Sequence, residues 1–213
     1  MEQDKKYIAL TFDDGPTLGI TDQVLDILEE HKIKASFFLI GEQVTDKTVY
    51  LVKRAHSMGC TIENHSWTHP SMITLGKEEI LEEIKKTTDM IIDVTGEAPL
   101  FFRPPYIDYN QLMYDLIDLT FISGHGCNDW EPDVTAQQRI DMVLQDAKPG
   151  NIVLLHDMKG NQNTVEALKV IIPELKKQGY EFVTIRELFT LSGVTPERNL
   201  NYDGARETRT NYV

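Results

Sequence analysis

Short apolar runs and amphipathic stretches alternate along this chain. Tyr7-Ile8-Ala9-Leu10-Thr11-Phe12 reads as a buried strand. Val24, Leu25, Ile27 and Leu28 then recur at helical spacing behind Thr21, which is placed to cap that helix. Ala35 to Ile40 is a second strand stopped by Gly41, and a helix carrying Val49, Val52 and Ala55 runs to Gly59. Cys60-Thr61-Ile62-Glu63 is the third strand. Ile80, Leu81, Ile84, Met90 and Ile91 predict a helix from Lys77 that Gly96 and Pro99 end. Leu100-Phe101-Phe102, Phe121-Ile122-Ser123-Gly124, Asn151-Ile152-Val153-Leu154-Leu155 and Glu181-Phe182-Val183-Thr184-Ile185 continue the strands. Helices at Leu112–Leu116, Gln137–Leu144, Val165–Lys177 and around Leu188 lie between or after them. Beyond Pro196 the pattern stops. The reading is one domain over residues 1–195 and a polar tail over 196–213, on the surface or disordered.

Strands alternating with helices, without a long linker or an internal repeat, define an α/β fold. The chemistry-bearing residues share one placement in it. Asp13-Asp14, the His65 segment, Arg103, Asp129 and His156 each follow the C-terminal end of a predicted strand. A closed parallel barrel gathers all such ends on one face, whereas an open doubly wound sheet gathers them only near its switch point. Five contributing ends favour barrel-like closure.

Composition narrows the function. The 213 residues carry a net charge of −13, which argues against nucleic acid or an anionic membrane surface as partner. Cys60 and Cys127 give no disulfide framework and no CxxC metal site. No run has membrane-spanning length, and the N-terminus lacks the apolar run of a signal peptide. The expectation is a monomer that is either cytoplasmic or, preferably, a secreted or cell-surface domain of a longer chain.

One carboxylate and two imidazoles are a natural ligand set for a divalent transition metal. A further carboxylate beside them is a spare base, which is the equipment of metal-assisted hydrolysis. Each motif also has a plain reading. Asp13-Asp14-Gly15 is a common turn signal, His156 could be satisfied by Asp157, and Trp130 could be a core indole. The order of the motifs at successive strand ends argues against coincidence. A protease HExxH does not fit, because Ser66 stands where its glutamate would be.

Thr11-Phe12-Asp13-Asp14-Gly15, His65-Ser66-Trp67-Thr68-His69, Arg103-Pro104-Pro105-Tyr106, Asp129-Trp130 and Leu154-Leu155-His156 resemble, in order, the five motifs of the polysaccharide deacetylases, or carbohydrate esterase family 4. The resemblance spans Tyr7 to Phe189. It implies a distorted β/α barrel of seven or eight strands. It implies one divalent metal on Asp14, His65 and His69, zinc first, with cobalt or nickel as alternatives. Asp13 would be the general base, held by Arg103, and His156 the general acid, oriented by Asp129. The backbone N–H of Tyr106 would join in stabilising the oxyanion, and Trp130 and Leu154 would wall the acetyl pocket. The partner would be an acetylated polysaccharide, an N-acetylglucosamine polymer of peptidoglycan or chitin type first and acetylated xylan second. A non-catalytic carbohydrate-binding protein on this fold is the distant alternative, and it would be expected to lack the base, a ligand or the acid. Two positions depart from the common pattern: Ile107 stands where glycine often follows the tyrosine, and Gly126 where an aspartate often precedes Asp129-Trp130. His125 and Cys127 read as structural.

Overall fold

The first apolar run forms strand β1 (Lys6–Asp13), whose alternation decides what lies on each side of the sheet. The computed structural model describes residues 5–198 and 200–205. From β1 the chain continues through α1 (Thr21–His31), β2 (Ser36–Leu39), α2 (Val49–Ser57), β3 (Thr61–Asn64), α3 (Lys77–Thr95) and β4 (Phe101–Phe102). Then come α4 (Gln111–Leu116), β5 (Thr120–Ile122), β6 (His125–Gly126), α5 (Ala136–Asp146) and β7 (Ile152–His156). The last elements are α6 (Gln162–Lys177), β8 (Tyr180–Phe182), α7 (Ile185–Leu191) and β9 (Asn201–Tyr202).

The strands pair in parallel in the order β6-β7-β1-β2-β3-β4-β5-β9, with β8 on the first half of β1. β5 pairs with β4 and β6 pairs with β7, yet both belong to the single run Thr120–Gly126. That run joins the two rims, so the sheet curls into a distorted β/α barrel. Parallel neighbours require crossovers, and the helices supply them on the outside.

Ile8, Leu10 and Phe12 face outward and pack against Val24 and Leu28 of α1, Leu51 of α2, and Leu168 and Ile172 of α6. Truncating one of these wholly buried side chains to alanine costs roughly 2–5 kcal/mol. Ala9 faces inward and meets Phe38, Phe101, Ile122 and Ile152, and Ile185, Leu188 and Phe189 of α7 close that end. Thr11 and Asp13 share the inward face with Ala9, because side chains alternate along a strand. The interior is therefore apolar at one end and polar at the other.

Two expectations need correction. Thr21 does not cap α1 but lies in its first turn, where its hydroxyl accepts the Thr17 N–H (2.8 Å) and donates to Asp157 (2.5 Å). The chain beyond Pro196 is not a surface tail throughout. β9 pairs with β5, Tyr202 is buried against Phe189, and Asn151 bridges to Gly204. Two or three buried side chains are too few to show as an apolar period in a polar stretch. Residues 1–4, 199 and 206–213, including the end of the expected tail, lie outside the described residues.

Candidate active site

Asp13, His65, Arg103 and His156 stand at or just past the ends of β1, β3, β4 and β7. Asp14 follows in the left-handed region (φ 70°), which turns its carboxylate back over the barrel mouth. A cavity of about 450 Å³ opens there, lined by Asp13, Asp14, His65, His69, Tyr106, Trp130, Leu154 and His156 among others. Arg103 and Asp129, both wholly buried, stand behind its wall.

Asp14 Oδ1 lies 3.4 Å from His65 Nε2 and 3.4 Å from His69 Nε2. Ligand atoms about 2.1 Å from a tetrahedrally coordinated ion stand about 3.4 Å apart, so these two spacings fit, and all three ligand atoms lie within 4.8 Å of one another. His65 Nδ1 is 2.6 Å from the Arg103 carbonyl oxygen. A carbonyl only accepts, so Nδ1 carries a proton and Nε2 is the ring nitrogen turned to Asp14. Asp14 Oδ1 is buried and without a hydrogen-bond partner among the described residues. Burial opposes ionisation of Asp14, but the neighbouring histidines, His65 foremost, outweigh it and bring the carboxyl down to about 2. Burial, then the charge of His65, lowers the pKa of His69. An ionised aspartate and a neutral imidazole are the states a divalent cation requires. The residues fit a metal.

The turn carrying the two histidines is fixed from behind. Asn64 Oδ1 accepts the Ser66 N–H (2.8 Å), and Ser66 Oγ accepts the His69 N–H (3.0 Å). Glu83 of α3 accepts the N–H groups of Trp67 and Thr68 and the Thr68 hydroxyl, each at 2.8 Å. Ser66 and His69 hold left-handed backbone angles (φ 65° and 60°) within this turn.

Beside the triad, Arg103 donates from Nη1 to Asp13 Oδ1 (2.6 Å) and Thr11 Oγ1 (2.9 Å), and from Nη2 to the Ser123 carbonyl (2.7 Å). The guanidinium also lies 4.2 Å from the Phe38 ring centroid. Asp13 Oδ2 is left on the His65 side, 3.8 Å from its Nε2. At the end of the neighbouring strand β7, His156 Nδ1 meets Asp129 Oδ1 at 2.7 Å, and Asp129 Oδ2 accepts the His156 N–H at 2.8 Å. Burial opposes the charged form of His156, but the Asp129 hydrogen bond and the charges of Asp129, Asp13 and Asp14 raise it to about 9. Asp13 and His156 are register partners on adjacent strands, so base and acid candidates flank one opening.

Trp130 sits edge-on to His156 (5.6 Å between centroids) and Tyr106 edge-on to His69 (4.8 Å), both exposed at the rim. Ile107 keeps a left-handed backbone (φ 57°) although it is β-branched. Cys127 is buried and His125 pairs with Asp146 at 2.7 Å, so both lie outside the cavity lining. Asp157 is not the partner of His156; it is turned to Thr21 beneath Gly15. Glu83, Asn161, Thr164 and Arg139 support the site and were not foreseen. Each lies on or at the start of an amphipathic helix, where a polar residue reads as solvent-facing.

The fold gathers one carboxylate and two imidazoles that could hold a metal ion at the mouth of a parallel barrel. The polysaccharide deacetylase family profile matches residues 1–120, and the chain belongs to that family. It is 50% identical, over 94% of its length and 33% of the relative's, to a bifunctional xylanase/deacetylase of Pseudobutyrivibrio xylanivorans. It therefore spans about a third of that relative. A peptidoglycan-N-acetylglucosamine deacetylase of Bacillus cereus is 39% identical over 88% of this chain and 70% of its own. Among solved structures, a family 4 acetyl xylan esterase from Clostridium thermocellum, in complex with a cobalt ion, superposes with a TM-score of 0.90 at 40% identity. That match covers 93% of this chain and 98% of the esterase. Among the described residues no helix is long and apolar enough to cross a membrane.

Proposed function

We propose that this chain hydrolyses acetyl groups from a polysaccharide with one divalent metal, acetylated xylan being the first substrate class. The observation that carries the reaction is the meeting of Asp14, His65 and His69 with Asp13 and His156 around one cavity. An ion held by Asp14, His65 and His69, zinc before cobalt or nickel, would supply Lewis-acid polarisation and a lowered water pKa. Asp13, fixed through Oδ1 by Arg103, takes the proton from the attacking water with its other oxygen. The backbone N–H of Tyr106 shares the negative charge that develops on the acetyl oxygen. His156, with Nδ1 tied to Asp129, delivers the proton on Nε2 to the leaving atom. Trp130 and Leu154 wall the space for the acetyl methyl group.

Xylan is supported by the similarity to a xylanase-linked deacetylase and an acetyl xylan esterase. The charge of −13 also disfavours anionic wall polymers. The sequence reading placed N-acetylglucosamine polymers first, and they are kept as the second reading. An amine leaves poorly unless protonated, and the buried Asp129–His156 pair equips the site for that demand. Either polymer lies outside the cell, which supports a secreted or cell-surface place of work. Acetate release from acetylated xylan, chitooligosaccharides and peptidoglycan, with chelator and after zinc or cobalt is restored, tests both levels. Release from xylan that needs the metal is expected. Chitooligosaccharide turnover with inert xylan reverses the substrate order, and chelator-insensitive release overturns the reaction.

A further inference from the structure

Arg139 lies in α5, 1% exposed, away from the cavity. A buried guanidinium must have its donors satisfied and its charge offset. Its Nε donates to the Val134 carbonyl (3.0 Å) and Nη2 to the Glu131 carbonyl (3.2 Å). Nη1 donates to Thr164 Oγ1 (2.7 Å) and to Asn161 Oδ1. Both of those side chains pass the contact on. Thr164 Oγ1 donates to Asp129 Oδ2 at 2.7 Å, and Asn161 Nδ2 donates to the same oxygen at 3.2 Å and to the His156 carbonyl at 2.8 Å. Arg139 thus reaches the Asp129 carboxylate through one side chain on either route, without touching it.

Asp129 has no exposed surface. While His156 is protonated, the imidazolium offsets its charge. When His156 gives its proton to the departing atom, the imidazole becomes neutral and that compensation is lost. We propose that Arg139 is a positioning residue for the general acid: a permanent cation that offsets the buried Asp129 carboxylate and keeps it aimed at His156 after the proton has left. The inference rests on the acid role assigned to His156 above.

The readout is leaving-group dependence, which a merely structural residue would not move. An acetylated xylo-oligosaccharide releases a poor leaving group that needs the acid, whereas 4-nitrophenyl acetate releases a phenolate that does not. Arg139→Met should lose roughly 10- to 100-fold in kcat on the sugar ester and far less on the aryl ester. Arg139→Lys, which keeps the charge without the fork, should fall between. Thr164→Val cuts one route at nearly constant volume and should shift the ratio the same way by less. It carries the test if the Arg139 variants do not fold. Equal losses on both substrates, or no loss on either, overturn the proposal. His156→Asn is measured in parallel. If it fails to separate the two substrates, the acid role falls; if it separates them and the Arg139 and Thr164 variants do not, only the role of Arg139 falls.

Discussion

The two sides of the cavity each hold a buried carboxylate against a cation, and they use the arrangement in opposite ways. Asp13 is paired with Arg103 at 2.6 Å, and Asp129 with His156 at 2.7 Å. A guanidinium does not release its proton in a protein, so in the first pair only the carboxylate can exchange one. In the second pair the imidazole exchanges, and the carboxylate is the member held still, by Thr164, Asn161 and a backbone N–H. In the proposed reaction, similar distances therefore serve a base on one side and an acid on the other. What distinguishes them is which partner can titrate and what fixes the partner that does not.

The sharpest way to break that comparison is to remove each active member in turn. Asp13→Asn should lower kcat by roughly 10²- to 10⁴-fold on every acetyl substrate, because water must be deprotonated whatever the leaving group. His156→Asn should bring a comparable loss only where the departing atom needs a proton. Titration calorimetry with zinc should show both variants still binding the metal, since neither residue belongs to the triad. Retained aryl ester turnover in Asp13→Asn would remove it as the base.

A smaller effect concerns His156 as a charge in the fold. Its pKa is raised from 6.5 to about 9, against the burial of its ring, by Asp129 and then by Asp13 and Asp14. A group whose folded pKa is raised stabilises the fold fully below its unfolded pKa and loses that contribution as pH climbs through the folded one. The window is therefore pH 6.5 to about 9, and the contribution is on the order of 3 kcal/mol. In metal-free protein, imidazole NMR should report titration near 9, and Asp129→Asn should pull it down. Denaturant melts should lose stability across that window in the parent and less so in Asp129→Asn. Identical slopes in the two proteins would mean Asp129 does not hold the charge.

The groups that line the cavity were legible in the sequence, and those that hold them were less so. Asp14, His65, His69 and His156 carry chemistry in ordered motifs at strand ends, so alternation and residue type sufficed to place them. β6 and β9, two residues each, are too short for a period of two to register. Arg139 precedes the buried Ile140 in an amphipathic helix and reads as its solvent face, although the barrel turns it inward. Asp157 is the converse case, an acid beside a site histidine in sequence that takes no part in holding it. It neighbours His156 in sequence, but adjacent residues at a strand end point to opposite sides, and its partner is Thr21.

The smallest expected effect lies outside both pairs, at Ile107. Tyr106 and Ile107 both hold left-handed angles, φ 61° and 57°, and a β-branched residue resists that region. Ile107 also lines the cavity, so replacing it mixes backbone relief with loss of a wall. Comparing Ile107→Gly with Ile107→Ala separates the two, because both remove the wall and only glycine removes the Cβ. Glycine should be more stable than alanine by about 1 kcal/mol, despite its larger entropy in the unfolded chain. The metal-loaded variants should share a raised KM and a kcat near the parent's, since neither the Arg103–Asp13 nor the Asp129–His156 contact runs through this loop. Alanine equal to or more stable than glycine would show that the loop does not keep its left-handed turn. A fall in kcat common to both variants would show that the path after Tyr106 aligns the reacting groups as well as walling the pocket.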